Sequence, residues 1–469
     1  MQTYNVDSHG INTGTKFPLY VPVVFLLFLF TPALLYFFQY KTLYVTGYFL
    51  FLASLVLINF PRKVFYLFII SISLAFSNRI GMISIHPADI LFVITFMGVM
   101  LDFLLRTRNH IRSTKLDKQF LFLIFATWLS ALFAYDWTQS VVPSIRILVI
   151  YFTFRIVFKY ALEIGIKKLM TLFMILTSIL SFIAFVQFYL AGGGIRSFGI
   201  TGLTLQYFAM TAVPMAMVFI IWSRSIRTSL FYMLISIISG LGIFATQSRA
   251  PLLAILITFP VIMIVSFRKA KRENDYRTLK NIKYVLLPVI VLGLSLFILE
   301  ETYFEGTISR LDELIQSLKN PVGTVMTRIV LWTSAIMAFF EHPFLGVGIG
   351  NMRIVHEVVP EVKLIPYWGW VKGMSAHNVL LHYLAETGII GASALVYLFW
   401  KNLSIGFKAY KIKLNKQDNM ISTALFIASF VCFITMFYMR SWTWGMDGHI
   451  LAFIFGLNTA WYYQLNDRF

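Results

Sequence analysis

The chain has 469 residues, 59% hydrophobic and 17% aromatic against 13% charged, with a mean hydropathy of +0.78. That balance excludes an ordinary soluble domain, about a quarter of whose residues are charged, and points to a polytopic membrane protein. The apolar runs are continuous and do not alternate, which excludes a transmembrane β-barrel, and the net charge of +19 is read as membrane topology, with no nucleic-acid partner.

Runs of roughly 17–25 residues, enough to cross a ~30 Å hydrocarbon core, are predicted as helices at 18–38, 43–60, 63–77, 88–105, 119–134, 142–160, 167–190, 206–222, 229–246, 250–267, 283–299, 378–400, 419–439 and 448–463. The expected fold is all-α, with about 12–14 transmembrane helices; the third run is short and the last weak enough to be interfacial. The first 17 residues are polar and no small-residue cleavage site follows the first run, so no cleavable signal peptide is expected.

With the N-terminus inside, most of the 39 Lys and Arg fall on one face: Lys16, Arg62 and Lys63, the runs RTRNHIRSTKLDK and RKAKRENDYRTLKNIK, and the string from Lys401 to Lys416. The positive-inside rule makes that face cytoplasmic. Both termini are then cytoplasmic and His377 is external. The single cysteine, Cys432, has no partner for an internal disulfide and is read as packing.

The chain divides into N-terminal transmembrane helices (1–299), an external segment (300–377) and C-terminal transmembrane helices (378–469). A loop as long as 300–377 is usually functional. It holds an amphipathic stretch, TISRLDELIQSL, and a more apolar one, TRIVLWTSAIMAFFEHP, ending at Pro343; both read as helices on or just above the membrane. In the GVGIGNM that follows, Gly346, Gly348 and Gly350 invite comparison with a phosphate loop, but dinucleotide and Walker patterns need a preceding strand and a following helix, and Walker also needs Gly-Lys. A tight turn is the expectation.

Ionisable groups inside or at the mouth of a span are candidates for function. Arg196 lies in AGGGIRSFGITG, Arg249 in ATQSRAPLL and Arg328 in VMTRIVLW, while Arg146 and Arg155 share the sixth span. Any one alone is as readily a snorkelling or ion-paired side chain. Arg196 precedes the eighth span; Arg249 opens the tenth, with Ser248 as a plausible cap and Pro251 in the first turn; Arg328 opens the external helix. Positive helix ends and guanidinium groups thus share one compartment and suggest an anion site. Guanidinium binds phosphate oxygens bidentately and stays charged when desolvated, so the implied ligand is a lipid-linked phosphate or diphosphate.

An external histidine near a helix start, such as His377, is more often an ordinary cap-region residue; beside arginines, its imidazole also suits a general base toward a sugar hydroxyl. His382, five positions on, lies about 140° around the helix, against a shared metal. His382 and Glu386, four apart, can pair on one face inside the span, most simply as a structural hydrogen bond. Glu273 and Asp275 form the one carboxylate pair with metal-site spacing and lie in a cytoplasmic loop, so no metal or other cofactor is expected. Asp447, before the last span, is an N-cap or a group orienting His377 or Arg249. Trp368, Trp370, Trp442 and Trp444 fit either an interfacial aromatic belt or sugar stacking.

TQSRAPLLA, TRIVLWTSAIMAFFEHPFLGVGIGNM and SAHNVLLHYLAETGIIG, in that order, resemble the signature of the O-antigen ligase and O-antigen polymerase superfamily of bacterial envelopes, across roughly residues 190 to 450. SRA replaces the frequent SRG, a change of little consequence at a helix entry. The resemblance implies a GT-C-type, inverting, metal-independent glycosyltransferase of the bacterial inner membrane, working at the periplasmic face with an undecaprenyl-diphosphate-linked glycan as donor. It implies Arg249 and Arg328 as diphosphate ligands, His377 as the base that activates the acceptor, and, less directly, Arg196 and Asp447 as binding residues. A ligase, which uses a lipid A-core sugar as acceptor, is favoured over a polymerase joining lipid-linked repeats, because one external segment late in the chain dominates. A lipid-linked oligosaccharide flippase has a similar helix count, but transporters tend to pair halves around a midplane site.

Overall fold

The structure is a computed structural model describing residues 61–72, 78–80, 83–85, 87–105, 112–192, 196–200, 202–286, 290, 323–412, 414–439 and 447–467. The predicted runs at 18–38 and 43–60, most of 283–299, and TISRLDELIQSL lie outside these residues. The fold is all-α apart from one short hairpin, β1 (Asn78–Ile80) paired antiparallel with β2 (Ile83–Ile85). The hairpin lies between α1 (Pro61–Ile72) and α2 (Pro87–Leu105); α3 (Asp117–Leu132), α4 (Trp137–Ile164), α5 (Ile166–Leu190), α6 (Leu205–Trp222), α7 (Ile226–Ala245) and α8 (Arg249–Arg272) follow. After them come α9 (Gly323–Glu341), a run of one-turn helices, α10 (Val379–Lys411), α11 (Lys416–Thr435) and α12 (Asp447–Asn466).

Among the described residues seven helices, α4 to α8, α10 and α11, are long and apolar enough to cross a membrane. The chain is a multi-pass membrane protein. α3, predicted as a span, has 16 residues; α12 has 20 but carries Asp447, His449, Asn458 and Gln464 along its length. At the centre stands α6, apolar on every side and buried from Leu205 to Trp222 apart from Gln206, as a helix surrounded by others must be. α7, α8 and α11 pack around it.

The helix ends sort into two sets. The amide of Val379, opening α10, donates to the Met436 carbonyl just beyond α11 (2.9 Å), and Ser197 N donates to the Ala245 carbonyl ending α7 (3.0 Å). At the other end, Lys269 near the close of α8 donates from Nζ to the Tyr410 carbonyl near the close of α10. α8 and α10 therefore run the same way, and Arg249 and His377 share one end of the bundle.

α10 is not continuous. Gly388 (φ 60°, ψ −163°) interrupts it, and the HPFLGVG turn fills the break. Val347 N donates to Ala385 O (2.9 Å) and Gly348 N to Glu386 O (2.9 Å), while Ile389 N donates to Pro343 O (2.8 Å) and Ile390 N to Phe344 O (3.4 Å). Ser130 Oγ adds a bond to the Glu386 carbonyl at 2.8 Å. The turn thus takes over the backbone groups that the break releases, which in a membrane must find partners within the protein. Such proximity demands glycine: a Cβ on Gly346 (φ 68°) meets the Glu386 carbonyl carbon at 2.3 Å, and one on Gly388 meets that of Phe344 at 2.3 Å. The glycine-rich stretch is a turn, as expected, and its close partner is the broken helix.

Gly192 provides a control, since its φ is +70° but nothing lies within 4 Å of an added Cβ. Gly192→Ala is expected to show only the left-handed backbone cost, about 1–2 kcal/mol. Gly346→Ala, which must also displace helix backbone, is expected to lower the thermal midpoint of the detergent-solubilised protein further. Equal midpoints for the two variants refute the close-approach account.

Candidate functional site

Arg249 is the first residue of α8 and half-buried. Gln247 before it takes a left-handed φ of 47°, and its amide donates to the Phe244 carbonyl at 2.8 Å, so the chain reverses sharply out of α7. Ser248 has the extended backbone of an N-cap but its side chain makes no capping bond; Pro251 stands in the first turn, as predicted. Arg196 is exposed. Its neighbour Ser197 fixes that loop twice, by the bond to Ala245 O and by Oγ to Gln187 Oε1 at 3.0 Å, so Arg196 belongs to the loop docked against the turn that leads into Arg249.

Arg328 lies in the second turn of α9 and is half-buried. Its pKa is held below the usual arginine value, first by burial and then by the positive charge of Arg249. Arginine remains charged through such shifts. The structure therefore brings two guanidinium groups within Coulombic reach of each other in a partly desolvated setting. One turn on, Trp332 Nε1 donates to the Ala376 carbonyl at 2.9 Å, which ties the Arg328 face of α9 to the residue preceding His377.

His377 is half-buried with a left-handed φ of 50°, a conformation in which His, Asn and Asp are enriched. Asn378, and not His377, is the N-cap of α10, its Oδ1 accepting from Leu381 N at 3.0 Å. Asp447, the first residue of α12, is 2% exposed. With Val379, Thr435, Met436 and Cys432 it lines a cavity of about 30 Å³ beneath the start of α10. Cys432 is buried packing, as expected.

Other candidates fall elsewhere. Arg155 pairs with Asp117 (2.6 Å) and donates to the Arg112 carbonyl (2.9 Å) far along α4; it is structural and is removed from the anion site. Arg146 is half-buried midway between it and the start of α4. Asp275 accepts from Lys416 Nζ at 2.8 Å and Glu273 from Asn419 Nδ2, which fastens the end of α8 to the start of α11 at the far end of the bundle. Trp368 is buried in a small core and excluded from sugar stacking, whereas Trp370 is 75% exposed beside Tyr367. Trp442 and Trp444 lie outside the described residues. Among the described residues no three His, Cys, Asp or Glu side chains gather to hold a metal ion.

His382 Nε2 and Glu386 Oε1 are 3.1 Å apart and buried, as the i,i+4 spacing predicts. Sequence reasoning missed the second task of Glu386, whose Oε1 also accepts from Met352 N at 3.1 Å. It missed Asn351 too, whose Nδ2 donates to Ser140 Oγ (2.9 Å) and Asp136 O (3.2 Å) and so joins the glycine turn to the start of α4. Asparagine following a glycine turn carries no signal that separates this role from ordinary turn chemistry. His356, also missed, is buried against Trp368.

Residues 234–396 match the family model described as O-Antigen ligase. By this match that stretch, about a third of the chain, is similar to the O-antigen ligase family. No curated protein matches the chain. The matched O-antigen ligase stretch is shorter than the resemblance read from the motifs: it holds Arg249, Arg328, His377, the glycine turn and the break in α10, and leaves out Arg196 and Asp447. The similarity supports the coarse reading of a ligase-type or related polymerase function.

The run of short helices between α9 and α10 has a titratable centre. Burial, then the positive charge of Lys372, holds the His356 pKa below histidine's ordinary 6.5. The unfolded segment then binds more protons than the folded one at acid pH, so stability rises with pH. Amide exchange protection across 343–371 is expected to be constant above about pH 6.5 and to fall as pH drops through the lowered native pKa. His356→Gln should remove that dependence; its persistence assigns the effect to another group.

Proposed function

We propose that the protein is an O-antigen ligase: an inverting, metal-independent transferase that moves a glycan from undecaprenyl diphosphate to a lipid A-core sugar hydroxyl at the periplasmic face of the bacterial inner membrane. The observation that supports this reading is the approach of Arg249 and Arg328, in a half-buried setting, at the end of the bundle that also carries His377. Two like charges held together without full hydration favour a multivalent anion. A diphosphate supplies it.

In this reading the donor diphosphate lies between Arg249 and Arg328, with Arg196 at the exposed rim and the polyprenyl tail between helices. The acceptor oxygen attacks the anomeric carbon from the face opposite the diphosphate, and its proton passes to the neutral imidazole of His377. The bond between anomeric carbon and diphosphate oxygen breaks, and undecaprenyl diphosphate leaves with the electron pair. The growing charge falls on the two guanidinium groups, which favours the transition state over the bound donor. Asp447, buried under the start of α10, supports the His377 turn from below. A polymerase would use the same chemistry with a lipid-linked repeat as acceptor.

His377→Asn keeps a residue that tolerates the left-handed turn. It is expected to abolish transfer while donor binding stays near normal; full activity removes the base assignment. Arg328→Lys, which keeps the charge but loses the bidentate fork, is expected to lower kcat by about 10²-fold. Reconstitution with lipid A core or lipid-linked repeat as sole acceptor decides between ligase and polymerase by which one is extended. If neither is extended and the donor only crosses the bilayer, the protein is a flippase.

A further inference from the structure

The two basic runs that set the topology, RTRNHIRSTKLDK and the string from Lys401 onward, meet in space. At the end of the bundle opposite Arg249, a cavity of about 490 Å³ opens between the start of α3, the second half of α10 and the close of α12. Lys115, Lys118, Lys401 and Lys408 line it, with Gln119 and Tyr462 among the other lining residues. Among the described residues no carboxylate lines this cavity. The acids nearest in sequence are engaged: Asp467 is held by both terminal nitrogens of Arg112 at 2.6 and 2.9 Å, and Asp117 by Arg155 at 2.6 Å and Thr114 Oγ1 at 2.9 Å.

Topology alone asks only that lysines lie on this face; it does not ask that four of them converge on one concavity. Lys115 is also fixed in place, with Nζ 2.7 Å from the Tyr462 hydroxyl and 4.4 Å from the centre of that ring. Converging ammonium groups repel one another unless an anion lies between them. A second, independent feature points to the rest of the ligand. Gln119 is 4% exposed and its Oε1 has no hydrogen-bond partner, a costly state unless a donor comes from outside the protein. A ligand presenting both a phosphate and a hydroxyl satisfies the lysines and Gln119 together. The volume lies within the range of small-molecule sites.

From these features we propose that the cavity binds a hydroxyl-bearing phosphate, such as the glycerol-phosphate head group of an anionic phospholipid. Access from the bilayer fits the surroundings. Tyr397, which lines the cavity, and Trp400 are 47% and 58% exposed on α10, the aromatic pair that marks a membrane–water boundary. Basic pockets between helices at such a boundary take anionic head groups. The site is separate from the arginine pair and does not depend on the transferase reading.

Native mass spectrometry of the full chain in detergent, titrated with phosphatidylglycerol, phosphatidylcholine or glycerol 3-phosphate, tests it. Phosphatidylglycerol is expected to bind in preference to phosphatidylcholine, and the double variant Lys401→Gln/Lys408→Gln to weaken that binding by about 30-fold, the loss expected for two lysines at a lipid surface. If glycerol 3-phosphate binds as tightly and suffers the same loss, the phosphate chemistry stands and the ligand is the soluble one. Equal binding of the two lipids, or a double variant that binds like the parent, overturns the site. Should the double variant fail to purify as a folded protein, the parent decides: phosphatidylglycerol binding must weaken between about 50 mM and about 500 mM salt, and binding indifferent to salt also overturns it.

Discussion

Four backbone hydrogen bonds across the break at Gly388 hold the glycine turn against α10. A helix interrupted inside a membrane leaves amides and carbonyls that lipid cannot satisfy, each at a cost of several kcal/mol. Here the partners come from the turn at 343–348, pressed against the gap. Gly346 and Gly388 make the approach sterically possible, and Glu386 and Asn351 extend the junction sideways to Met352 and to α4. The stretch from α9 to Met352 is thereby anchored to the bundle through its main chain. α9, which leads into that turn, is held over α10 by the Trp332 bond to Ala376.

Anchoring of this kind has an electrostatic purpose. Arg249 comes from the bundle and Arg328 from the segment above it, so their approach is a property of the junction and of neither part alone. Two guanidinium groups resist being placed together, and a loosely attached segment would carry Arg328 away from Arg249. In the proposed reaction, charge fixed in this way does not have to be gathered when the diphosphate departs. The left-handed turn at His377 is a comparable constraint: the residue is held in an uncommon backbone state between the Trp332 contact and the Asn378 cap.

Much of the fold was legible because hydrophobic run length is a one-dimensional property. α4 to α8, α10 and α11 lie where continuous apolar runs place them, and the i,i+4 spacing of His382 and Glu386 was enough to predict their contact. Charge type was less informative than charge position. Arg155 carried the same signal as Arg249 until its neighbour Asp117, 38 residues away in sequence, proved to hold it. Trp368 and Trp370 differ by two positions and by nearly the full range of exposure, a distinction that depends on which side of a one-turn helix meets the core. The break in α10 was hidden for another reason: TGIIGAS reads as helix with two tolerated glycines, and only the arrival of residues 343–348 makes Gly388 a point of rupture.

That arrival also imposes an order on biogenesis. The ribosome delivers residues 343–348 before 385–390, so when the turn is first made it has no helix to bond with. The junction therefore closes only after both stretches have been made, because each supplies backbone groups that the other must satisfy.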